Sequence, residues 1–137
     1  MRLTPTYSET AMLIRTDFTD SQVWQEVSDA AQAPSPDGFQ AGLECVDDRR
    51  FEGLTVEQAV AAVPDGEEPY FAFLVDTVTI TDPEHPIMVV DLHWEPGRRF
   101  RVTPAALYSV ENNLTISNMD WEDFADDVDA DGVFRGF

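Results

Sequence analysis

The chain has 137 residues and carries 27 aspartates and glutamates against eight arginines and no lysine, a formal net charge of −19. This charge repels nucleic-acid phosphates and anionic membrane surfaces, which excludes direct binding to either, whereas a basic protein partner is attracted. A hydrophobic content of 43 % supplies the apolar surface of a folded domain. We therefore expect a single globular domain over residues 1–137, with a flexible N-terminal segment at residues 1–10.

The first half of the chain predicts two strand–helix units. The apolar run Ala11–Ile14 predicts a buried strand, and apolar side chains at helical spacing predict a helix over residues 20–32. Residues 39–46 alternate apolar and polar side chains and predict a half-buried strand, in which Cys45 is an inert core thiol. A capping box at residues 55–58 predicts a second, short helix.

The second half predicts three strands followed by two helices. Tyr70–Val75 and Ile87–Val90 are apolar on both faces and predict central strands. Glu95–Arg98 has Pro and Gly at the central positions of a type II turn, so residues 100–102 return as a hairpin strand. Helices are expected to begin at Pro104 and near Asp120.

The predicted element order is β-α-β-α-β-β-β-α-α. This order favours an α/β domain in which a mixed sheet of about five strands is flanked by helices. The single cysteine excludes an internal disulfide and a cysteine-based zinc site. The first ten residues contain no apolar stretch typical of a secretion signal, and no apolar run is long enough to span a bilayer, so the expected location is the cytoplasm.

The most specific local motif resembles the first half of a calcium-binding loop. Asp127, Asp129 and Asp131 fall at positions 1, 3 and 5 of an EF-hand loop, and Gly132 falls at position 6. The bidentate glutamate of position 12 does not follow within the chain. Weak calcium binding is one interpretation, and a helix end with Gly132 as its cap and solvated carboxylates is the other.

Carboxylates also follow the three strands that we expect to be parallel. Asp17 comes after the first, Asp47 and Asp48 after the second, and Asp76 after the third. Ligands of open α/β sheets bind beyond the carboxyl ends of the strands, so these four residues are candidates for binding Mg²⁺ or a basic side chain. The alternative is that they cap helices and have no ligand.

Two further clusters lie around the predicted hairpin. Asp91, His93 and Glu95 alternate, which suits either a divalent-ion site on one sheet face or a solvated face. Three arginines at positions 98, 99 and 101 form the densest basic spot, and in so acidic a chain we expect them to pair with local carboxylates across the hairpin. The aromatic tail at residues 133–137 is expected to fold back onto the protein.

Three stretches carry a resemblance to known sequences: Leu13–Asp20, the region from Leu74 to Leu92, and the tail from Ser109 to Phe137. Together they resemble a small family of uncharacterised actinobacterial proteins, a domain of unknown function. The resemblance implies a cytoplasmic actinobacterial protein, in agreement with a composition that uses arginine without lysine. It implies no activity and no functional residues.

The sequence contains no recognisable catalytic set, which favours a binding protein over an enzyme. The main hypothesis is an acidic interaction module for a basic protein partner, such as an immunity- or antitoxin-like inhibitor or a nucleic-acid mimic. The alternative is a small enzyme or ligand-binding domain that uses the strand-end carboxylates with a divalent metal. A third interpretation assigns the charge to solubility alone. We expect no cofactor under the main hypothesis, with Ca²⁺ or Mg²⁺ as the alternative, and the oligomeric state stays open.

Overall fold

A six-stranded mixed sheet forms the centre of the computed structural model, which describes residues 1–7 and 9–137. The strand order is β2-β1-β3-β4-β5-β6, and β4 alone runs antiparallel to both of its neighbours. The strands are β1 (Ala11–Arg15), β2 (Leu43–Val46), β3 (Phe71–Val75), β4 (Ile87–Asp91), β5 (Arg99–Val102) and β6 (Val133–Phe134).

Five α-helices accompany the sheet in the described residues: α1 (Ser21–Gln32), α2 (Val56–Ala61), α3 (Thr77–Thr81), α4 (Leu107–Thr115) and α5 (Trp121–Ala125). Local chemistry explains where they begin. Asp20 caps α1 by accepting hydrogen bonds from the N–H groups of Gln22 and Val23, and Thr55 forms the predicted capping box with Gln58 at α2. None of these helices combines the length and apolar character needed to cross a bilayer, over the residues described.

Helices cover both faces of the sheet and create two hydrophobic cores. The core on one face includes Trp24 of α1, Leu107 of α4 and Phe124 of α5. The core on the other face lies under α2. Successive strand residues point to opposite faces, so Leu13 enters the first core and Ile14 the second. This two-sided burial explains why the central strands are apolar at every position.

The predicted fold class is confirmed as an α/β domain with a mixed sheet. The prediction lacked two short elements, α3 and β6. The two residues of β6 pair in parallel with β5, Val133 opposite Arg101 and Phe134 opposite Val102. The strand expected at residues 39–46 begins only at Leu43. The turn at Glu95–Arg98 forms as expected: the N–H of Arg98 donates to the Glu95 carbonyl at 3.1 Å, and Gly97 has φ +98°.

The two ends of the chain pack against the domain. Leu3 is buried in the core under α2 and its N–H donates to the Ala62 carbonyl at 3.0 Å, so the segment expected to be flexible is anchored near its start. Ser8 in that segment lies outside the described residues. At the other end, Phe134 is fully buried, while the ring of Phe137 contacts Phe124 and Phe134 but stays 74 % exposed.

Cys45 is a predicted core residue that the structure places at the surface, as is Phe39 of the same predicted strand. Cys45 is exposed because β2 is an edge strand, with β1 as its only sheet neighbour among the described residues. The interpretation as a core thiol is therefore wrong. Partial burial, with a contribution from Asp29, nevertheless raises the pKa of the thiol above its usual value.

The strand directions give the sheet two chemically different edges. Five strands end at the same edge, which we call the carboxyl edge. At the opposite edge, the amino edge, these five strands begin and β4 ends. The predicted carboxylate site belongs to the carboxyl edge, and an exposed aromatic cluster belongs to the amino edge.

Candidate functional site

Asp17 and Asp76 follow β1 and β3 at the carboxyl edge, as predicted. Asp17 accepts hydrogen bonds from the Thr77 hydroxyl at 2.8 Å and from the backbone N–H of Thr19 at 2.8 Å. Partial burial acts to raise the pKa of Asp17, but these hydrogen bonds outweigh it and hold the pKa below its usual value. The contact with Thr77 joins β1 to α3 at the point where the sheet order reverses.

Asp76 is committed to a guanidinium and to a helix start. It accepts two hydrogen bonds from Arg101 of β5, at 3.0 and 2.8 Å, and caps α3 through the N–H of Thr79. Burial acts to raise its pKa, but Arg101 and Thr79 outweigh burial and the pKa is lowered.

Asp47 and Asp48 have arginine partners of their own. Asp47 contacts the buried Arg15 guanidinium at 3.3 Å. Asp48 caps a short 3₁₀ turn and binds Arg50 at 2.9 Å. The topology therefore brings the four predicted acids to one edge, where each has an internal partner. Binding of Mg²⁺ or of an external basic side chain by these residues stays a prediction.

The loop with the calcium-like spacing surrounds an arginine. Asp129 and Asp131 bind the guanidinium of Arg135 at 2.7 and 2.8 Å, and Glu84 binds it from the other side at 2.8 Å. Asp127 lies just after α5, where its N–H donates to the Phe124 carbonyl. Within residues 1–7 and 9–137, no three acidic, histidine or cysteine side chains are grouped as ligands of a metal ion. Calcium binding here also stays a prediction.

All eight arginines contact a carboxylate in the part of the chain described. Arg98 pairs across the hairpin with Asp91, as expected, whereas Arg99 and Arg101 bind Glu57 and Asp76, which lie outside the hairpin. Twelve of the 27 acids take part in these pairs, and fifteen have no arginine partner among the described residues. The arginine pairs therefore do not cancel the negative charge, and the unpaired acids give the protein a negative electrostatic potential.

An exposed aromatic cluster lies at the amino edge. The rings of Tyr70 and His93 are stacked, with centroids 3.9 Å apart and planes at 12°. Trp94 meets both rings at close to a right angle, 6.2 Å from Tyr70 and 5.7 Å from His93. Trp94 is 43 % exposed, in contrast to the buried Trp24 and Trp121. The three rings form a corner that opens to solvent.

A buried carboxylate holds this corner in place. Asp91, at the end of β4, has no solvent exposure and accepts hydrogen bonds from the N–H groups of His93, Trp94 and Glu95 at 3.0, 2.9 and 2.8 Å. Its second oxygen also contacts the Arg98 guanidinium at 2.9 Å. The strand therefore ends at Asp91, and the interpretation of residues 91, 93 and 95 as one sheet face is wrong. A rigid loop presents the aromatic side chains instead.

The corner forms one wall of a cleft of about 230 Å³. Tyr7, Glu9 and Glu68 line the same cleft, together with the C-terminal end of α4 at Leu114–Ser117. A second groove runs on from Glu9 and Thr115 past the exposed Ile116. Among the aromatic side chains of the cleft, Tyr7 and Trp94 have the largest exposed fractions. We call this surface, defined by Tyr7, Glu9, Glu68, Tyr70, Trp94 and the end of α4, the aromatic cleft.

The electrostatics of the aromatic cleft favour a cation. Glu9 and Glu68 have no arginine partner in the described chain. The C-terminal end of α4 contributes the negative end of a helix dipole. Aromatic ring faces carry partial negative charge. Carboxylates, helix end and rings therefore all contribute the same sign of potential.

Comparison with known protein families identifies one family that matches most of the chain. The family model described as Domain of unknown function (DUF6924) matches residues 10–137. The chain belongs to this family. The match confirms the resemblance to a domain of unknown function that the sequence analysis describes. A search of curated proteins finds no significant match to the chain.

The DUF6924 match divides the aromatic cleft. Tyr70, Glu68 and Trp94 lie within the matched residues, together with the Asp91 loop, whereas Tyr7 and Glu9 precede them. The sequence analysis missed this cleft, since it assigned Tyr70 to a strand and Trp94 to no site. The signal present in the sequence is a His-Trp pair beside a Pro-Gly turn, directly after a strand that ends in Asp91.

Proposed function

We propose that this protein is an interaction module that binds a basic protein partner through the aromatic cleft. The observation that carries the proposal is the exposed corner of Tyr70, His93 and Trp94, fixed by the buried Asp91 and flanked by unpaired carboxylates. Tryptophan and tyrosine are enriched among the few residues that dominate the binding energy of protein interfaces, because they bury a large area at a small entropic cost.

The surplus negative charge adds a second contribution. Fifteen acids without an arginine partner attract a basic protein over a distance and accelerate its encounter. In this proposal the protein works in the cytoplasm of an actinobacterium, requires no cofactor, and acts as an immunity- or antitoxin-like inhibitor or as a nucleic-acid mimic. The charge steers the partner, and the aromatic cleft holds it.

The test is an affinity capture of the tagged full chain from a lysate of its source organism, at low and at moderate salt, read by mass spectrometry. Three baits are compared: the natural chain, Trp94→Ala, and Phe137→Ala. Phe137 is a matched control, because it is an exposed aromatic residue that follows β6 at the opposite edge of the sheet.

We expect one stoichiometric basic protein that survives moderate salt, is lost with Trp94→Ala, and is retained with Phe137→Ala. Loss with Phe137→Ala alone would move the interface to the carboxyl edge. Many basic proteins that all wash off at moderate salt would show that the charge acts without a defined interface, and the proposal would then be abandoned.

A further inference from the structure

Four of the eight arginines in the described chain combine an aromatic ring with a carboxylate: Arg15, Arg49, Arg50 and Arg98. The guanidinium of Arg98 lies 5.3 Å from the Trp121 ring centroid and contacts Glu122 at 2.6 Å. Arg15 lies 4.4 Å from the ring of Phe18 and contacts Asp47 at 3.3 Å. Stacking on a ring and pairing with a carboxylate suit the flat, weakly hydrated guanidinium.

The aromatic cleft offers the same combination on an open surface. Tyr70 and Trp94 provide the rings, and Glu9 and Glu68 provide the carboxylates. In the described chain, no arginine lies over the rings of Tyr7, Tyr70 or Trp94. The chain's own arginines are engaged elsewhere, so a guanidinium at this surface must come from another molecule.

The size of the cleft limits what enters it. Its volume of about 230 Å³ lies below the range of about 300–1,000 Å³ that is usual for small-molecule sites. One long side chain suits such a cleft better than a complete metabolite. The neighbouring groove past Thr115 and Ile116 leaves room for the backbone on either side of that side chain.

We propose that the aromatic cleft binds a single arginine side chain of the basic partner, an inference that rests on the proposed function. The guanidinium stacks against the corner of Tyr70 and Trp94 and donates hydrogen bonds to Glu68 and Glu9. The negative end of the α4 dipole favours the same charge. Lysine fits less well, because its ammonium is more strongly hydrated and has no flat face to stack.

The experiment is an NMR titration of the isotope-labelled full chain with N-acetyl-arginine amide. N-acetyl-citrulline amide, which has a similar shape and no charge, and N-acetyl-lysine amide are the comparison compounds. The indole N–H of Trp94 reports on the cleft, and those of the buried Trp24 and Trp121 are internal references. We expect the arginine compound to shift the Trp94 resonance and to bind about tenfold more tightly than the citrulline compound.

Variants separate the cleft from the general charge. Trp94→Phe keeps a ring and is expected to retain binding, as seen by backbone resonances around Tyr70. Trp94→Ala and Glu68→Gln are each expected to weaken binding by about three- to tenfold. Glu26→Gln removes the same charge from an exposed position on α1 and should leave the affinity unchanged within error. Backbone resonances distant from the cleft that match those of the natural chain will verify the fold of each variant.

Three results overturn the inference. If the citrulline compound shifts the same resonances as strongly, the cleft recognises shape without charge. If the arginine compound moves no cleft resonance while Trp94→Ala still abolishes partner capture, the proposed function stands and the arginine anchor is wrong. Binding of arginine that survives both Trp94→Ala and Glu68→Gln would likewise assign it to the general charge of the protein.

Discussion

The Asp91→Asn substitution tests the loop that holds the aromatic cleft. Asp91 is fully buried and accepts three backbone hydrogen bonds, from His93, Trp94 and Glu95, and a charged contact from Arg98. Asparagine removes the charge and places an amide donor against at least one of these donors. A buried donor left without its acceptor costs about 1–3 kcal/mol. The lost ion pair adds less, because Arg98 is partly exposed and keeps Glu95 and Glu122 as partners. Since domains are stable by about 5–15 kcal/mol, the expected loss is a large share of the total.

The assay is equilibrium unfolding in urea at neutral pH, followed by tryptophan fluorescence. Asp65→Asn is the matched control, because Asp65 is exposed, and we expect it to change the free energy of unfolding by less than about 0.5 kcal/mol. We also expect acrylamide to quench Trp94 more strongly in Asp91→Asn than in the natural chain. A loss below about 1 kcal/mol with an unchanged urea slope would refute the claim that this carboxylate organises the loop.

Further expectations concern the other charged sites. The pKa of Asp76 is lowered in the folded protein, so its carboxylate stabilises the fold at pH values above its unfolded-state pKa of about 3.9. This stabilisation is lost as the pH falls through the lower folded-state pKa. In Asp76→Asn, the free energy of unfolding should therefore decrease less as the pH falls through this range. Because burial raises its pKa, Cys45 should react with iodoacetamide more slowly in the folded than in the urea-unfolded chain, and equal rates would contradict this. Because Arg135 occupies the calcium-like loop, Ca²⁺ should raise the melting temperature no more than an equal ionic strength of NaCl, and a specific rise lost in Asp129→Ala would establish a calcium site.

The sequence predicted the elements whose signals are local. The capping box of α2 and the apolar central strands follow from neighbouring residues alone. Helix α3, with the sequence Thr-Val-Thr-Ile-Thr, was missed because β-branched residues favour strands. It forms because Asp76 caps it in a box with Thr79. Strand β6 has only two residues, so it depends on pairing with β5 and leaves no periodic pattern.

For the four strand-end acids, the sequence predicted the position at the carboxyl edge but not the residues that they contact. The rule that parallel strands end together brought Asp17, Asp47, Asp48 and Asp76 to one edge correctly. Their partners are distant in sequence, as with Arg101, and this distance hid their structural roles. The aromatic cleft was missed for a related reason. Alternation predicts that residue 93 shares a face with Asp91, but the buried carboxylate turns the backbone out of the strand.

Added salt distinguishes two effects of the negative charge, because it should stabilise the fold and weaken the binding of a basic partner. With fifteen acids left unpaired, repulsion opposes the compact fold, so NaCl should raise the melting temperature as the screening length falls to about 10 Å near 0.1 M. The same screening should weaken capture of a basic partner. The part of the affinity that persists at moderate salt should disappear with Trp94→Ala, since ring stacking is screened less than long-range attraction. If NaCl instead lowers the melting temperature, attraction within the internal arginine–carboxylate pairs outweighs repulsion among the unpaired acids. That result would contradict the claim that a surplus of negative charge is available to attract a partner.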